Sequence, residues 1–385
     1  MFGGYSAGRQ EMPRIIHISI ARYRPDLPDT GQSLDFLVSI HEEGTGITWQ
    51  QNVIVDWKIK EYIINSTSDL FLWSKNIGLT LKKANSLLKE IGECLYKTFI
   101  GTEGEKVLER INPTAILFNI DETIMSIPWE LIGFASEKFA LDKVPFGRLV
   151  TTRMLLREGR NPLQQDSTVR ILAVINPTSD LSPAEGKYIA TLHELTGQQG
   201  RFQVEVDMIV REQATLSNFK EKIAAGDYDM LHFGGHGFLN QDNPGLSALR
   251  FADGELSADD VLTLQWKNAP PCFVFSSACE SSGAKKGQRL VSKENQTNGL
   301  AAAFLTVGVS AYAGYFWPVT DSGATAFTRV FYNTLFEHEN VGLAFMEARK
   351  ETICDLEEWG ELTGCSAVLY GDAGSAHRQD LATAN

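Results

Sequence analysis

Two short segments of this chain hold residues whose types and spacing suit nucleophilic chemistry. The first is His232-Phe233-Gly234-Gly235-His236-Gly237 and the second is Ser276-Ser277-Ala278-Cys279-Glu280-Ser281-Ser282. A thiolate is a strong nucleophile, and a neighbouring imidazole can hold its proton and later pass it to a leaving amine. Cys279 is therefore the candidate nucleophile and His236 its proton-handling partner. Glycine beside His236 would allow a substrate backbone to come close. The backbone N–H groups of Gly237 and Cys279 are candidate oxyanion donors, and removing one such donor typically costs about 100- to 1000-fold in rate.

Competing readings of the same residues exist. A lone cysteine at a strand end is commonly a small core residue. Glycine-rich turns also cradle phosphate, but this one lacks both G-x-G-x-x-G and a following Lys-Ser/Thr. His232 and His236 are spaced as metal ligands can be, with no third ligand evident, so no metal and no cofactor is expected. Cys272 reads as core.

Positioning these residues is a task for the elements around them. Val169–Ile175, Phe202–Val210, Tyr228–Gly234 and Pro271–Ser276 read as apolar strands. They alternate with helical patterns at Ser182–Leu195 and Ser217–Ala225. Further helices are expected over Asn298–Val307, Asp321–His338 and Val341–Leu356, around a strand at Val309–Phe316. That alternation predicts an α/β fold, a mostly parallel sheet flanked by helices. Such sheets carry their sites just beyond the C-terminal strand ends. Both motifs sit where an apolar strand is expected to stop.

Upstream, Arg14–Ala21, Leu34–Ile40 and Asn52–Trp57 alternate as strands do. Ser66 to Phe99 has helical spacing, and Thr114–Ile120 is another buried strand, followed by Pro128-Trp129-Glu130-Leu131-Ile132. The polar stretch Arg157–Ser167 reads as a linker. It suggests two units, residues 1–165 and 166–385.

Composition narrows the function classes. The 385 residues carry a net charge of −13, which argues against nucleic-acid binding and suits a basic ligand. Five cysteines without a CxxC pair suggest free thiols in a reducing cytoplasm. The N-terminus lacks an apolar signal core, and no apolar run reaches the roughly 20 residues of a membrane span. A soluble cytoplasmic protein without membrane contact is expected.

At these motifs the sequence resembles the CHAT family of caspase-like domains, and more distantly separase. His236 precedes Cys279 by about 43 residues, close to the caspase spacing of roughly 50. The resemblance extends to Gly314-Tyr315-Phe316-Trp317-Pro318-Val319-Thr320-Asp321, to Val368-Leu369-Tyr370-Gly371-Asp372, and to Pro128-Trp129-Glu130-Leu131. It implies a caspase-like fold with a degenerate, catalytically dead first half ahead of the catalytic one. It also implies a cysteine endopeptidase with His236 and Cys279 as a dyad. Several relatives act in bacterial antiviral defence or programmed cell death, cleaving a protein partner after a CRISPR or infection signal. Gasdermin-type pore formers are one such partner class. A protein substrate and an activating partner protein or complex are the implied partners, although no tetratricopeptide array or sensing domain is evident here.

The matching aspartate in separase-like enzymes faces the substrate's P1 side chain, which makes Asp321 the candidate substrate-binding residue for a basic P1. Asp321 as a cap of the following helix is the competing reading. A catalytically silent protein-interaction scaffold, or an acyltransferase on the same dyad, are the alternatives to a peptidase. The segment Gly283–Thr297, with Lys285, Lys286, Arg289 and Lys293, reads as an exposed loop, either open to self-cleavage or simply solvated.

Overall fold

The computed structural model describes residues 14–22, 33–74, 81–121, 124–125, 127–135, 142–151, 168–180, 185–238, 247–280, 299–317, 319–353 and 362–374. The expected linker at 157–167 and the segment 283–297 lie outside these residues.

Fourteen strands among the described residues form one sheet. The N-terminal strands are β1 (Ile15–Arg22), β2 (Ser33–Glu42), β3 (Thr48–Asp56), β4 (Ala115–Asp121) and β5 (Phe146–Thr151). The C-terminal strands are β6 (Thr168–Ile175), β7 (Gly197–Gln199), β8 (Phe202–Val210), β9 (Met230–Phe238), β10 (Ala248–Arg250), β11 (Glu255–Ser257), β12 (Phe273–Glu280), β13 (Ala311–Tyr315) and β14 (Ala367–Tyr370). The order across the sheet is β3-β2-β1-β4-β5-β14-β13-β12-β9-β6-β8-β7, with the short β10–β11 hairpin attached to β9. From β13 through β12, β9 and β6 to β8 every pairing is parallel. So are β1–β4, β4–β5 and β5–β14. The mostly parallel sheet expected from the alternation is the one observed.

Helices cover both faces. They are α1 (Trp57–Ser74), α2 (Leu81–Leu95), α3 (Gly101–Ile111), α4 (Glu185–His193), α5 (Leu216–Ala225), α6 (Ala258–Val261), α7 (Gly299–Thr306), α8 (Asp321–His338), α9 (Val341–Ile353) and α10 (Thr363–Ser366). The period of two along each strand divides its apolar residues between two cores. In β6, Leu172 and Val174 join the core that holds Phe219 of α5 and Phe304 of α7. Val169, Ile171, Ala173 and Ile175 join the core of Tyr188, Phe331 and Phe345, from α4, α8 and α9. β4 divides the same way, with Phe118 in the first core and Leu117 in the second. Each core therefore includes strands from both the N-terminal and the C-terminal half of the sheet.

Three details depart from the expectations. The helical spacing from Ser66 to Phe99 belongs to two helices, α1, which starts earlier at Trp57, and α2, followed by a π-helical turn at Tyr96–Ile100 leading into α3. β5 was not foreseen; its short FGRLVT sequence carries a buried arginine that hides the strand pattern. Strands β9 and β12 also continue past their expected ends, because they pair with each other as far as Gly237 and Glu280, and β10 pairs with the end of β9.

The N-terminal and C-terminal halves of the sheet meet at β5 and β14. The Gly371 N–H donates to the Arg148 carbonyl at 2.8 Å. A Cβ on Gly147 would fall 2.5 Å from the Gly371 carbonyl oxygen, so only glycine permits this approach. Here the Pro128-Trp129-Glu130-Leu131 motif finds its role. Arg148 and Glu130 are both buried, with Nε–Oε1 and Nη2–Oε2 hydrogen bonds of 2.8 and 2.5 Å. The Arg148 guanidinium also donates to the Met125 and Ile127 carbonyls and lies over the rings of Phe316 and Tyr370. The paired Arg148 guanidinium thus sits where elements from both halves of the chain meet.

Candidate active site

β9 and β12 are adjacent and parallel, and their register runs from Met230 opposite Phe273 to Gly237 opposite Glu280. Within it His236 and Cys279 are paired at the C-terminal ends of the two strands. Neighbouring strands lie about 4.8 Å apart, so the two residues are side-by-side backbone neighbours. Chain separation alone did not show this. Gly237 pairs with Glu280 on one side and with Leu249 of β10 on the other.

His232, Gly234 and His236 alternate onto one face of β9. His232 is fully buried, and its Nε2 and Nδ1 lie 2.6 Å from the Tyr188 hydroxyl and 3.0 Å from the Tyr332 hydroxyl. Burial pushes its pKa down to about 3. With both ring nitrogens engaged inside the core, His232 is a structural residue and not a metal ligand alongside His236. Among the described residues no three His, Cys, Asp or Glu side chains converge on a metal position.

The glycines between the two histidines serve the protein's own packing. A Cβ on Gly234 would stand 2.6 Å from Cε1 of Tyr188, and one on Gly235 would stand 3.0 Å from Cδ of Pro177. The expectation that glycine here makes room for a substrate backbone is corrected for these two positions: α4 and the turn after β6 fill that room. Cys272 is core, as expected, and its thiol donates to the Asp229 carbonyl at 3.1 Å.

His236 is partly exposed. Its Nε2 lies 2.8 Å from Oδ1 of Asp180, a residue the sequence reading did not single out. Asp180 ends the Asn176-Pro177-Thr178-Ser179-Asp180 turn that follows β6, the other neighbour of β9. The turn is tightly tied. Thr178 Oγ1 donates to Oδ1 of Asp180, the Asp180 N–H donates to Oδ1 of Asn176, and the Asn176 N–H donates to the Gly234 carbonyl. Partial burial opposes ionisation of Asp180, but the hydrogen bonds from Thr178 and His236 outweigh it and hold the carboxyl below its usual range. The signal for Asp180 was present in the sequence: a carboxylate in a turn directly after a third apolar strand.

Asp321 opens α8, beyond the C-terminal end of β13, and β13 pairs with β12 in parallel. It is exposed. The cap is Thr320, whose Oγ1 accepts from the Gly323 N–H at 3.0 Å. Asp321 is therefore the first helical residue and not the cap, which corrects the competing reading. Its charge there favours the helix dipole.

Comparison with known proteins bears on this edge of the sheet. The CHAT-domain model matches residues 89–358, which include β9, β12 and β13. The chain belongs to the CHAT-domain family. No curated protein sequence matches it. Two crystal structures of the Saccharomyces cerevisiae separase–securin complex resemble this CHAT protein, with TM-scores of 0.58 and 0.55 at 12% and 14% identity. Each comparison covers 93% of this chain and 30% of the separase chain. The Arg-specific cysteine proteinase gingipain R also matches, with a TM-score of 0.49 at 15% identity, over 82% of this chain and 75% of its own. At these identities the separase likeness establishes the fold alone: the CHAT protein has the caspase-like architecture, a mostly parallel sheet flanked by helices. No helix among its described residues is long and apolar enough to cross a membrane.

Proposed function

We propose that this CHAT protein is a cysteine endopeptidase in which His236 and Cys279 act as a dyad. The observation that carries the reading is the register of β9 and β12, in which the two residues are neighbours at the sheet edge where α/β folds carry their sites. The Cys279 thiol passes its proton to His236, and the thiolate attacks the scissile carbonyl carbon. The N–H groups of Gly237 and Cys279 stabilise the oxyanion. As the tetrahedral species collapses, the carbon–nitrogen bond breaks and His236 returns the proton to the departing amine. Water, deprotonated by His236, then hydrolyses the thioester and releases the acid product.

The substrate in this reading is a specific protein cut after a basic P1 residue. Asp321 supplies the carboxylate, since its side chain is exposed at the active edge and the cap is made by Thr320. A carboxylate accepts an arginine fork better than an ammonium, so Arg is preferred over Lys. Residues 1–165 form the non-catalytic half and 166–385 the catalytic unit. An activating partner protein or complex switches the enzyme on, in antiviral defence or programmed cell death.

The test is a fluorogenic peptide library, read with the wild type, Cys279→Ala, His236→Ala and Asp321→Ala. Cleavage is expected to vanish in the first two variants with circular dichroism unchanged, and to lose its Arg preference in the third. Undiminished cleavage by folded Cys279→Ala would overturn the assignment. A P1 profile dominated by Asp, or unchanged by Asp321→Ala, would remove Asp321 from the pocket.

A further inference from the structure

We propose that Asp180 is a positioning residue for His236, making the site a Cys279–His236–Asp180 relay built from three adjacent parallel strands. This rests on the dyad reading and deepens it. The ionised carboxylate is acceptor-only, so the 2.8 Å contact requires the proton on Nε2 of His236. In the neutral ring Nδ1 then carries the lone pair, and that nitrogen receives the thiol proton. Once the imidazolium forms, the Asp180 charge stabilises it without itself taking the proton.

An exposed ion pair can be incidental, and Asp180 has 58% of its side chain open to solvent. The surroundings argue otherwise. Among the described residues five that are not glycine have positive φ, and three of them hold this corner: Asn176 at 48°, Ser179 at 59° and Arg211 at 52°. Left-handed backbone at such residues persists where surrounding contacts over-determine it. Those contacts are visible. Arg211 grips the buried Glu185 carboxylate with Nε and Nη2, and Ser179 Oγ donates to Glu212. Asn176, itself buried, bonds Gly234 beneath and Asp180 above. The charged groups of this corner are thus Asp180 on the turn after β6, Glu185 on α4, and Arg211 and Glu212 in the turn after β8. Glu185 is already paired with Arg211, and Asp180 is the carboxylate that reaches His236.

The experiment measures Cys279 alkylation by iodoacetamide against pH, which reads the thiolate without any substrate. Cys279→Ala serves as background for the other thiols, and peptide kinetics run in parallel. In Asp180→Asn the imidazolium loses its counter-charge, so the alkylation rise is expected to move up by about one pH unit. kcat is expected to fall more than tenfold with KM within about twofold, and Asp180→Glu to recover part of both. An Asp180→Asn alkylation curve that superimposes on the wild type would overturn the proposal. So would a loss confined to KM with altered P1 preference, which would make Asp180 a substrate contact. A His236→Ala curve that also matches the wild type would show that the dyad itself has failed, and the relay with it. A shift in His236→Ala but not in Asp180→Asn would reject the relay alone.

Discussion

His232 and His236 lie four residues apart on one strand in opposite environments. His236 is partly open beside a carboxylate, while His232 is sealed between two tyrosine hydroxyls and packs at right angles to the ring of Phe275. Unfolded, His232 takes a proton near its ordinary value of 6.5, and folded only near pH 3. Between those limits the unfolded chain binds a proton that the native one excludes. Its contribution to stability is therefore complete above about pH 6.5 and is lost as pH falls, by at most about 1.4 kcal/mol per unit. Urea midpoints measured from pH 7 down to about 4 are expected to fall less steeply in His232→Gln than in the wild type. Equal slopes would show that His232 is not the residue responsible. The buried imidazole also explains why Gly234 must stay glycine: Tyr188 has to lie across it to reach His232.

At the scale of elements, the junction of β5 with β14 stands out, because Arg148 and Glu130 are both cut off from water there. Breaking a buried pair from one side leaves a charge uncompensated and typically costs about 3–5 kcal/mol. Glu130→Ala is expected to destabilise by that amount in denaturant unfolding. A double variant, Glu130→Leu with Arg148→Met, is expected to be less unstable than the sum of the single changes, since no stranded charge remains. Strict additivity would contradict this account of the junction. The motif around Trp129 is thus structural. Trp129 is itself fully buried, with its indole N–H on the Ile124 carbonyl at 3.0 Å.

For the whole molecule the net charge of −13 matters more than any single pair. An acidic protein attracts a cationic peptide over distances set by the Debye length, about 30 Å at 0.01 M salt and about 10 Å at 0.1 M. If the substrate is basic, as proposed, kcat/KM for an Arg-containing peptide is expected to fall several-fold across that range. A neutral peptide of the same length is expected to change little. Equal salt dependence for both would place recognition in short-range contacts alone.

Much of the molecule was legible in one dimension. Apolar strands alternating with helices dictate a parallel sheet, since only crossovers return each strand to the same direction. Within that sheet, His236 and Cys279 stood out because reactive side chains at strand ends converge on one edge. Thr168–Ile175, Phe202–Val210 and Asp321–His338 came out almost as read, since their apolar spacing is strong. Other features depend on which strands become neighbours, and local pattern does not encode that. Asp180 reaches His236 only because β6 lies beside β9. Arg148 meets Tyr370 only because the last strand returns to β5. The cap of α8 fell to Thr320 and left the Asp321 side chain exposed, a difference of one residue that backbone geometry decides. Residue types and periodicity determined the fold class and singled out His236 and Cys279 as the candidate reacting groups. Strand order, which comes from burying both faces of one sheet at once, decided what surrounds them.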